Sequence, residues 1–281
     1  MGCPFLTEGR ARYCHAAPVQ KLILEGPGVA DGGRCATSKY RQCELVVKDA
    51  AQQDRCPHLE EVRVQYCGAS PVTKLVPFSD SQHSSCTNTS YRYCDSYLPL
   101  ARPHAPTPPA NLLYTPNHFW LDAEDSGLCH IGIDLLLADV AGSIDGVTFV
   151  TLHGTRCPAL TLTTHGIDWP MSFPNPLIIQ NVNRRVRSDP SRLTADPYGA
   201  GWLFEAWELP GRTRAGLISG PRAAAWQAEE RERLAQEIHE ARASVCDGGS
   251  SVRGAAQWLP RRHLVCLFQR FFSQRGWTLE E

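Results

Sequence analysis

The chain has 281 residues and a formal net charge of −1, so nothing pulls it as a whole towards nucleic acid or an anionic membrane. No apolar run reaches the roughly 18 residues that span a bilayer, and the opening MGCPFLTEGR lacks the apolar stretch of a secretory signal. Twelve cysteines in such a chain predict thiols in a reducing, cytoplasmic compartment, where disulfides rarely persist.

In chain order, the first feature is an internal duplication. Residues 3–43 begin CPFLTEGRARYCHAAPVQKL and residues 56–94 begin CPHLEEVRVQYCGASPVTKL. Both copies carry Cys-Pro, then Leu, Glu, Tyr-Cys and Ala-x-Pro-Val-x-Lys-Leu at matching offsets. Each closes on a Cys-x7-Cys pair that brackets a tyrosine, Cys35 to Cys43 and Cys86 to Cys94. A unit of about 40 residues buries too little apolar surface to offset its conformational entropy, so it needs covalent staples or a metal. Four thiolates per copy (Cys3, Cys14, Cys35 and Cys43; Cys56, Cys67, Cys86 and Cys94) match a tetrahedral zinc site or a [4Fe–4S] cluster. The spacing does not choose between two zinc ions and two clusters, and two disulfides per copy stand as the alternative. His15, His58 and His83 have no counterpart in the other copy and read as surface residues rather than ligands.

Residues 99–112 follow as a proline-rich linker; PLARPHAPTPP favours an extended, semi-rigid spacer. From about residue 113 the pattern turns to short apolar runs between Gly, Pro, Asn and Asp. LCHIGIDLL, GVTFVTL, ALTLTT and PLIIQNVN read as strands of an all-β sandwich or flattened barrel. Beyond residue 221, RAAAWQAEERERLAQEIHEARASV reads as a helix opened by Pro221, stopped by Asp247-Gly248-Gly249, and supported by a Glu229–Arg233 pair. After Pro260, Leu264, Leu267, Phe268, Phe271 and Phe272 make a helical apolar stripe, either packed on the chain's own core or offered to a partner. Cys129 reads as a buried small hydrophobe and Cys157 as more exposed. Cys246 and Cys266 are candidates to approach one another.

In residues 113–209, Tyr114 to Leu121 (YTPNHFWL), the HIGID step at 130–134, Ala141-Gly142 and SDPSRLTADPYGAGWLF at 188–204 resemble the glycine cleavage system H protein. The resemblance implies a lipoyl-type barrel-sandwich hybrid in which a hairpin presents a lipoylated lysine. Thr163 and Thr164 stand at the acidic and serine positions of that hairpin, Gly166 stands at the lysine, and Leu177 replaces a glycine. All four lysines (Lys21, Lys39, Lys48 and Lys74) precede this segment, and only a lysine amine forms the lipoyl amide. His118, Trp120 and the Tyr198–Trp202 segment read as packing that holds the barrel ends, Asp196 as a turn residue, and His165 at the hairpin tip as a weak candidate ligand or acid–base group.

The expected fold is thus α+β: a mainly β lipoyl-type middle domain with a small Cys-rich twin module (residues 1–98) and a C-terminal helical segment (221–281). No triad, phosphate-binding glycine loop or carboxylate pair marks an enzyme. The expected function is a non-catalytic H-protein-like protein without lipoate, carrying metal or iron–sulfur modules as a redox or scaffold component. It would bind protein partners through the barrel or the Leu264–Phe272 helix. A zinc-stapled structural adaptor and a divergent carrier in one-carbon metabolism are the alternatives.

Overall fold

The computed structural model describes residues 2–16, 18–23, 34–46, 54–70, 72, 74–76, 85–101, 108–243 and 252–273. His83, Val245, Cys246, the Asp247-Gly248-Gly249 stop and the middle of the proline-rich spacer lie outside the described residues. The chain divides into two compact units, Met1–Tyr91 and Arg92–Glu281.

The first unit contains β1 (Leu6–Cys14), β2 (Lys21–Ile23), β3 (Leu59–Cys67) and β4 (Lys74–Val76). They form one antiparallel sheet in the order β2-β1-β3-β4. The register runs from Leu6↔Cys67 to Cys14↔Leu59, with Arg10 opposite Arg63 at its centre. These two arginines are the same position of the two copies, so the copies pair about a local twofold. Like charges facing each other across a sheet repel. Here each arginine turns to a carboxylate of the other copy, Arg10 to Glu61 at 3.5 Å and Arg63 to Glu8 at 3.0 Å. A 3-10 turn at Ser38–Gln42 buries Tyr40 and delivers Cys43, whose N–H donates to the Tyr40 carbonyl at 2.9 Å.

The second unit is built on β5 (Leu113–Tyr114), β6 (Phe119–Ala123), β7 (Leu128–Ile133), β8 (Gly146–Phe149), β9 (Gly154–Arg156), β10 (Ala159–Thr164), β11 (Ile167–Ser172), β12 (Leu177–Val182) and β13 (Phe204–Glu208). One sheet has the order β5-β6-β7-β13-β12-β9 and the other β11-β10-β8. Strand β7 is buried along its whole length, as its nearly continuous apolar run requires, whereas β10 alternates, with Leu160, Leu162 and Thr164 inward. The two sheets share a core that includes Phe119, Ile131, Leu162, Trp169, Phe173 and Phe204.

Helices α1 (Leu135–Ala141), α2 (Arg184–Ser188), α3 (Arg192–Ala195), α4 (Pro221–Ala243), α5 (Ala255–Trp258) and α6 (Arg261–Phe271) complete the unit. The LCHIGIDLL run is not one strand. Asp134 ends it by capping α1, its carboxylate accepting from the Leu137 N–H at 3.0 Å, and a cap satisfies a helix terminus that a continuing strand would waste. On α4 the pair is Arg233 with Glu230, not Glu229, an i,i+3 rather than an i,i+4 spacing. The Leu264–Phe272 stripe is also not a free docking face. All five of its apolar side chains are buried in the core shared with the sheets, and the Phe268 ring packs tilted against Trp169 with centroids 4.6 Å apart. Burying the three phenylalanine rings there stabilises the unit more than presenting them to water would.

Candidate functional site

The β10–β11 hairpin holds Thr163, Thr164 and Gly166, the positions at which the sequence resemblance expects the carrier hairpin. Thr164 pairs with Ile167, which leaves His165 and Gly166 as a two-residue turn. Both have positive φ, 49° and 69°, as a type I′ connection demands. Thr163 Oγ1 donates to Asp168 Oδ1 at 2.7 Å across the hairpin, and the Thr164 hydroxyl donates to the Ser143 carbonyl. His165 Nε2 lies 3.4 Å from Ser143 Oγ. A Cβ built on Gly166 would meet no atom within 4 Å. The tip therefore has room for a side chain, but neither of its residues has an amine.

The DPYGAGW segment closes the barrel end beside α1. The Asp196 carboxylate accepts from the Ala200 N–H at 2.7 Å, and the Gly201 N–H donates to the Asp196 carbonyl at 2.8 Å. A Cβ at Gly201 would lie 2.8 Å from two backbone carbonyl oxygens, so glycine is required there. Trp120 Nε1–H donates to the Pro197 carbonyl at 3.0 Å, and Gly132 leaves space for the Trp120 ring. The Tyr198 hydroxyl accepts from the Leu135 N–H, and burial pushes the Tyr198 phenol above its usual range. His118, with φ 66°, sets Nδ1 at 2.7 Å from Asp134 Oδ2, both groups buried. These residues hold the barrel end together, as the sequence reading expects of His118, Trp120 and Tyr198–Trp202.

A second buried cluster had no signal in the sequence. Tyr93, from the end of the second copy, stacks on His130 at 4.1 Å and donates its hydroxyl to Asp122 Oδ2 at 2.6 Å. Arg92 pairs with the same carboxylate at 2.9 Å. Burial, reinforced by the Arg92 charge, lowers the His130 pKa to about 3. Cys129 is fully buried and its thiol is pushed up by burial, so it is inert, whereas Cys157 is half-buried.

The eight N-terminal cysteines are not gathered copy by copy. Because β1 and β3 run antiparallel, Cys3 and Cys14 fall at opposite ends of the sheet. Cys14 pairs with Leu59, the Leu59 N–H donates to the Cys56 carbonyl at 3.1 Å, and the Cys56 N–H donates to the Cys35 carbonyl at 2.9 Å. The Cys35 thiol is raised, first by partial burial. At the other end the Cys3 N–H donates to the Cys86 carbonyl at 2.8 Å, the Leu6 N–H donates to the Cys3 carbonyl, and Leu6 pairs with Cys67. None of the described cysteines forms a disulfide. Among the described residues no three Cys, His, Asp or Glu side chains stand close enough to hold a metal ion as they are placed.

No family model matches the chain. Curated relatives match its middle third. The glycine cleavage system H protein of Thermobifida fusca is 30% identical over 102 residues, 34% of this chain and 79% of that protein. The glycine cleavage system H protein of Bifidobacterium longum is 35% identical over 104 residues, 34% of this chain and 72% of that protein. A crystal structure of a glycine cleavage system H protein from Mycobacterium marinum aligns with 43% of this chain and 99% of that one, with a TM-score of 0.38 and 22% identity. Among the described residues no helix is long and apolar enough to cross a membrane. Through the barrel that carries the His165-Gly166 hairpin, the chain belongs to the glycine cleavage system H protein family.

Proposed function

We propose that this protein is a non-catalytic H-protein-like component whose barrel no longer carries lipoate. The observation that carries the reading is the hairpin tip: His165 and Gly166 fill the turn, and no lysine follows Lys74 in the sequence. Lipoylation forms an amide to a lysine ε-amine, and neither an imidazole nor an arginine substitutes for it. Protein partners are proposed to bind the barrel surface. The Leu264–Phe272 face is excluded because the fold consumes it.

The cysteine-rich unit then supplies the activity, as two thiolate sites holding two zinc ions or two [4Fe–4S] clusters and serving a cytoplasmic redox or scaffold assembly. Its composition supports this: seven of the eight thiols belong to a unit whose described residues bury few apolar side chains. Bound as thiolates, such metals would hold the strands together, and clusters would in addition accept and release electrons.

Two measurements on the full chain test the reading. Intact mass after coexpression with a lipoate ligase is expected to show no lipoyl increment, and an increment overturns the loss of carriage. Iron and zinc are then quantified on protein purified without oxygen. Iron with a brown chromophore identifies the redox form, and colourless protein with about one zinc per site identifies the scaffold form. Neither metal, with the thiols disulfide-bonded, sinks the metal reading.

A further inference from the structure

We infer that the two copies form two cross-copy dithiol sites, Cys3 with Cys86 and Cys35 with Cys56, each oxidised to a disulfide by exchange with a small-molecule disulfide. The inference goes beyond the metal reading and does not rest on it. A disulfide asks for two thiols, not the three or more ligands that the described residues nowhere gather.

The pairing follows from one register. Strands β1 and β3 pair over nine residues each, with Arg10 opposite Arg63. Eight steps along an extended strand span roughly 26 Å, so Cys3 is carried away from Cys14, and Cys56 from Cys67. Across the sheet Cys14 faces Leu59 and Cys67 faces Leu6, so those two cysteines do not meet each other either. What Cys3 and Cys56 meet is the closing segment of the other copy. Cys56 N–H to Cys35 carbonyl (2.9 Å) matches Cys3 N–H to Cys86 carbonyl (2.8 Å). Leu59 N–H to Cys56 carbonyl (3.1 Å) matches Leu6 N–H to Cys3 carbonyl (3.1 Å). His15 N–H to His58 carbonyl (2.9 Å) matches Gly68 N–H to Phe5 carbonyl (2.9 Å), so one contact is built twice. A Cβ at Gly2 would lie 3.1 Å from the Cys86 carbonyl oxygen, a measure of how closely the two segments lie together. A direct backbone hydrogen bond holds two Cα atoms roughly 5–6 Å apart, inside the window of about 4.4–6.8 Å that a disulfide bridges.

The thiols divide the chemistry between them. All four are unbridged; Cys35 is half-buried, whereas Cys56 is only 4% exposed. Cys35 therefore reacts first: it gives its proton to water, and its thiolate attacks one sulfur of the incoming disulfide. A mixed disulfide forms and one small thiolate leaves. Cys56 then loses its proton and attacks the Cys35 sulfur, which forms the Cys35–Cys56 bond and releases the second small thiolate. The protein gives up two electrons and two protons, and the small disulfide becomes two thiols. Burial, and after it the charge of Cys56 ahead of those of Cys14 and Cys43, raises the Cys35 thiol. The first attack consequently accelerates as the pH rises. Cys3 and Cys86, both half-buried, undergo the same two steps. Each bond ties the entry of one long strand to the closing segment of the other copy, a covalent staple for a unit with few buried apolar side chains.

Disulfide mapping of the full chain tests this. Protein purified under reducing conditions is freed of reductant, treated with oxidised glutathione at mildly alkaline pH, alkylated, digested and mapped by mass spectrometry. Iron and zinc are quantified on the same sample beforehand, so the metal reading and this one fail separately. Peptides joining Cys35 to Cys56 and Cys3 to Cys86 are the expected result. A map lacking either pair overturns the inference, whether the cysteines join within a copy (Cys35 to Cys43, Cys3 to Cys14 or Cys56 to Cys67) or stay reduced. Cys56→Ser removes the second thiol of one site. It is expected to leave glutathione on Cys35, a mixed disulfide that the wild type resolves, with Cys3–Cys86 still formed. An intramolecular disulfide at Cys35 in that variant overturns the assignment. Should the substitution unfold the sheet, the wild-type map decides alone.

Discussion

Among the described residues, the apolar interior of the first unit consists of Ala11, Tyr40, Cys56, Val64 and Ala69, whereas the second encloses Trp120, Trp169, Phe119, Phe173, Phe204 and Phe272. Both rest on antiparallel sheet, yet the first has a charged arginine pair at its centre and the second a buried, nearly apolar β7. Sheet hydrogen bonds alone hold a small domain only marginally, so on the metal reading proposed above the first unit depends on what its thiols bind, whereas the second depends on packing.

The sharpest way to break the comparison is to challenge the metal proposed for the thiols. Chelation under reducing conditions is expected to remove hydrogen-exchange protection from β1 and β3, a loss of order 10 kcal/mol of binding-coupled folding. The amides of β7, β10 and β13 should be unaffected. Retained protection in β1 and β3 would show that the sheet stands without its thiol sites. The converse change attacks packing. Trp120→Ala deletes a ring that is 0% exposed and leaves the Pro197 carbonyl without its indole donor. It should cost the second unit about 4 kcal/mol in urea unfolding and leave metal content unchanged.

The third prediction uses pH. His130 titrates near 3 in the folded unit, against 6.5 for the ordinary side chain, because burial and then Arg92 disfavour its charge. The unfolded chain therefore binds the proton first. Above pH 6.5 His130 contributes no slope, and as the pH falls from 6.5 towards 3 the second unit loses stability, by up to about 1.4 kcal/mol per pH unit. His130→Phe keeps a ring against Tyr93 and should flatten that slope relative to wild type, read as unfolding midpoints at several pH values. Equal slopes in the two proteins would mean that other groups set the acid sensitivity.

How much of this could be read from sequence differs between the two units for a physical reason. Local signals carried the second unit well: the stripe Leu264 to Phe272 was buried at all five positions, and Gly199 and Gly201 sat where a turn needs them. The DLL of LCHIGIDLL failed because Asp134 is an N-cap, and its effect on the chain direction exceeds the strand propensity of its neighbours. In the first unit the duplication was plain, but the antiparallel pairing of the two copies was not. Spacing within a copy says nothing about antiparallel pairing with a partner about fifty residues away. Nor did any local signal mark Tyr93, whose ring reaches His130 through the fold alone.

The smallest expected effect bears on what separates the barrel from a carrier. Gly166→Lys places an amine at the hairpin tip, where a Cβ meets no atom within 4 Å, so no packing opposes it. The backbone does oppose it: φ is 69°, and an L-residue in the left-handed region costs about 1 kcal/mol relative to glycine. His165 already accepts φ 49° beside it, which shows that the hairpin imposes this turn on a non-glycine residue. The variant should therefore fold with nearly wild-type stability and, with a lipoate ligase, gain a lipoyl increment that the wild type lacks. A stable but unmodified variant would place part of the loss in Thr163 and Thr164, whose hydroxyls are engaged with Asp168 and Ser143 at the positions where the resemblance expects acidic and serine side chains.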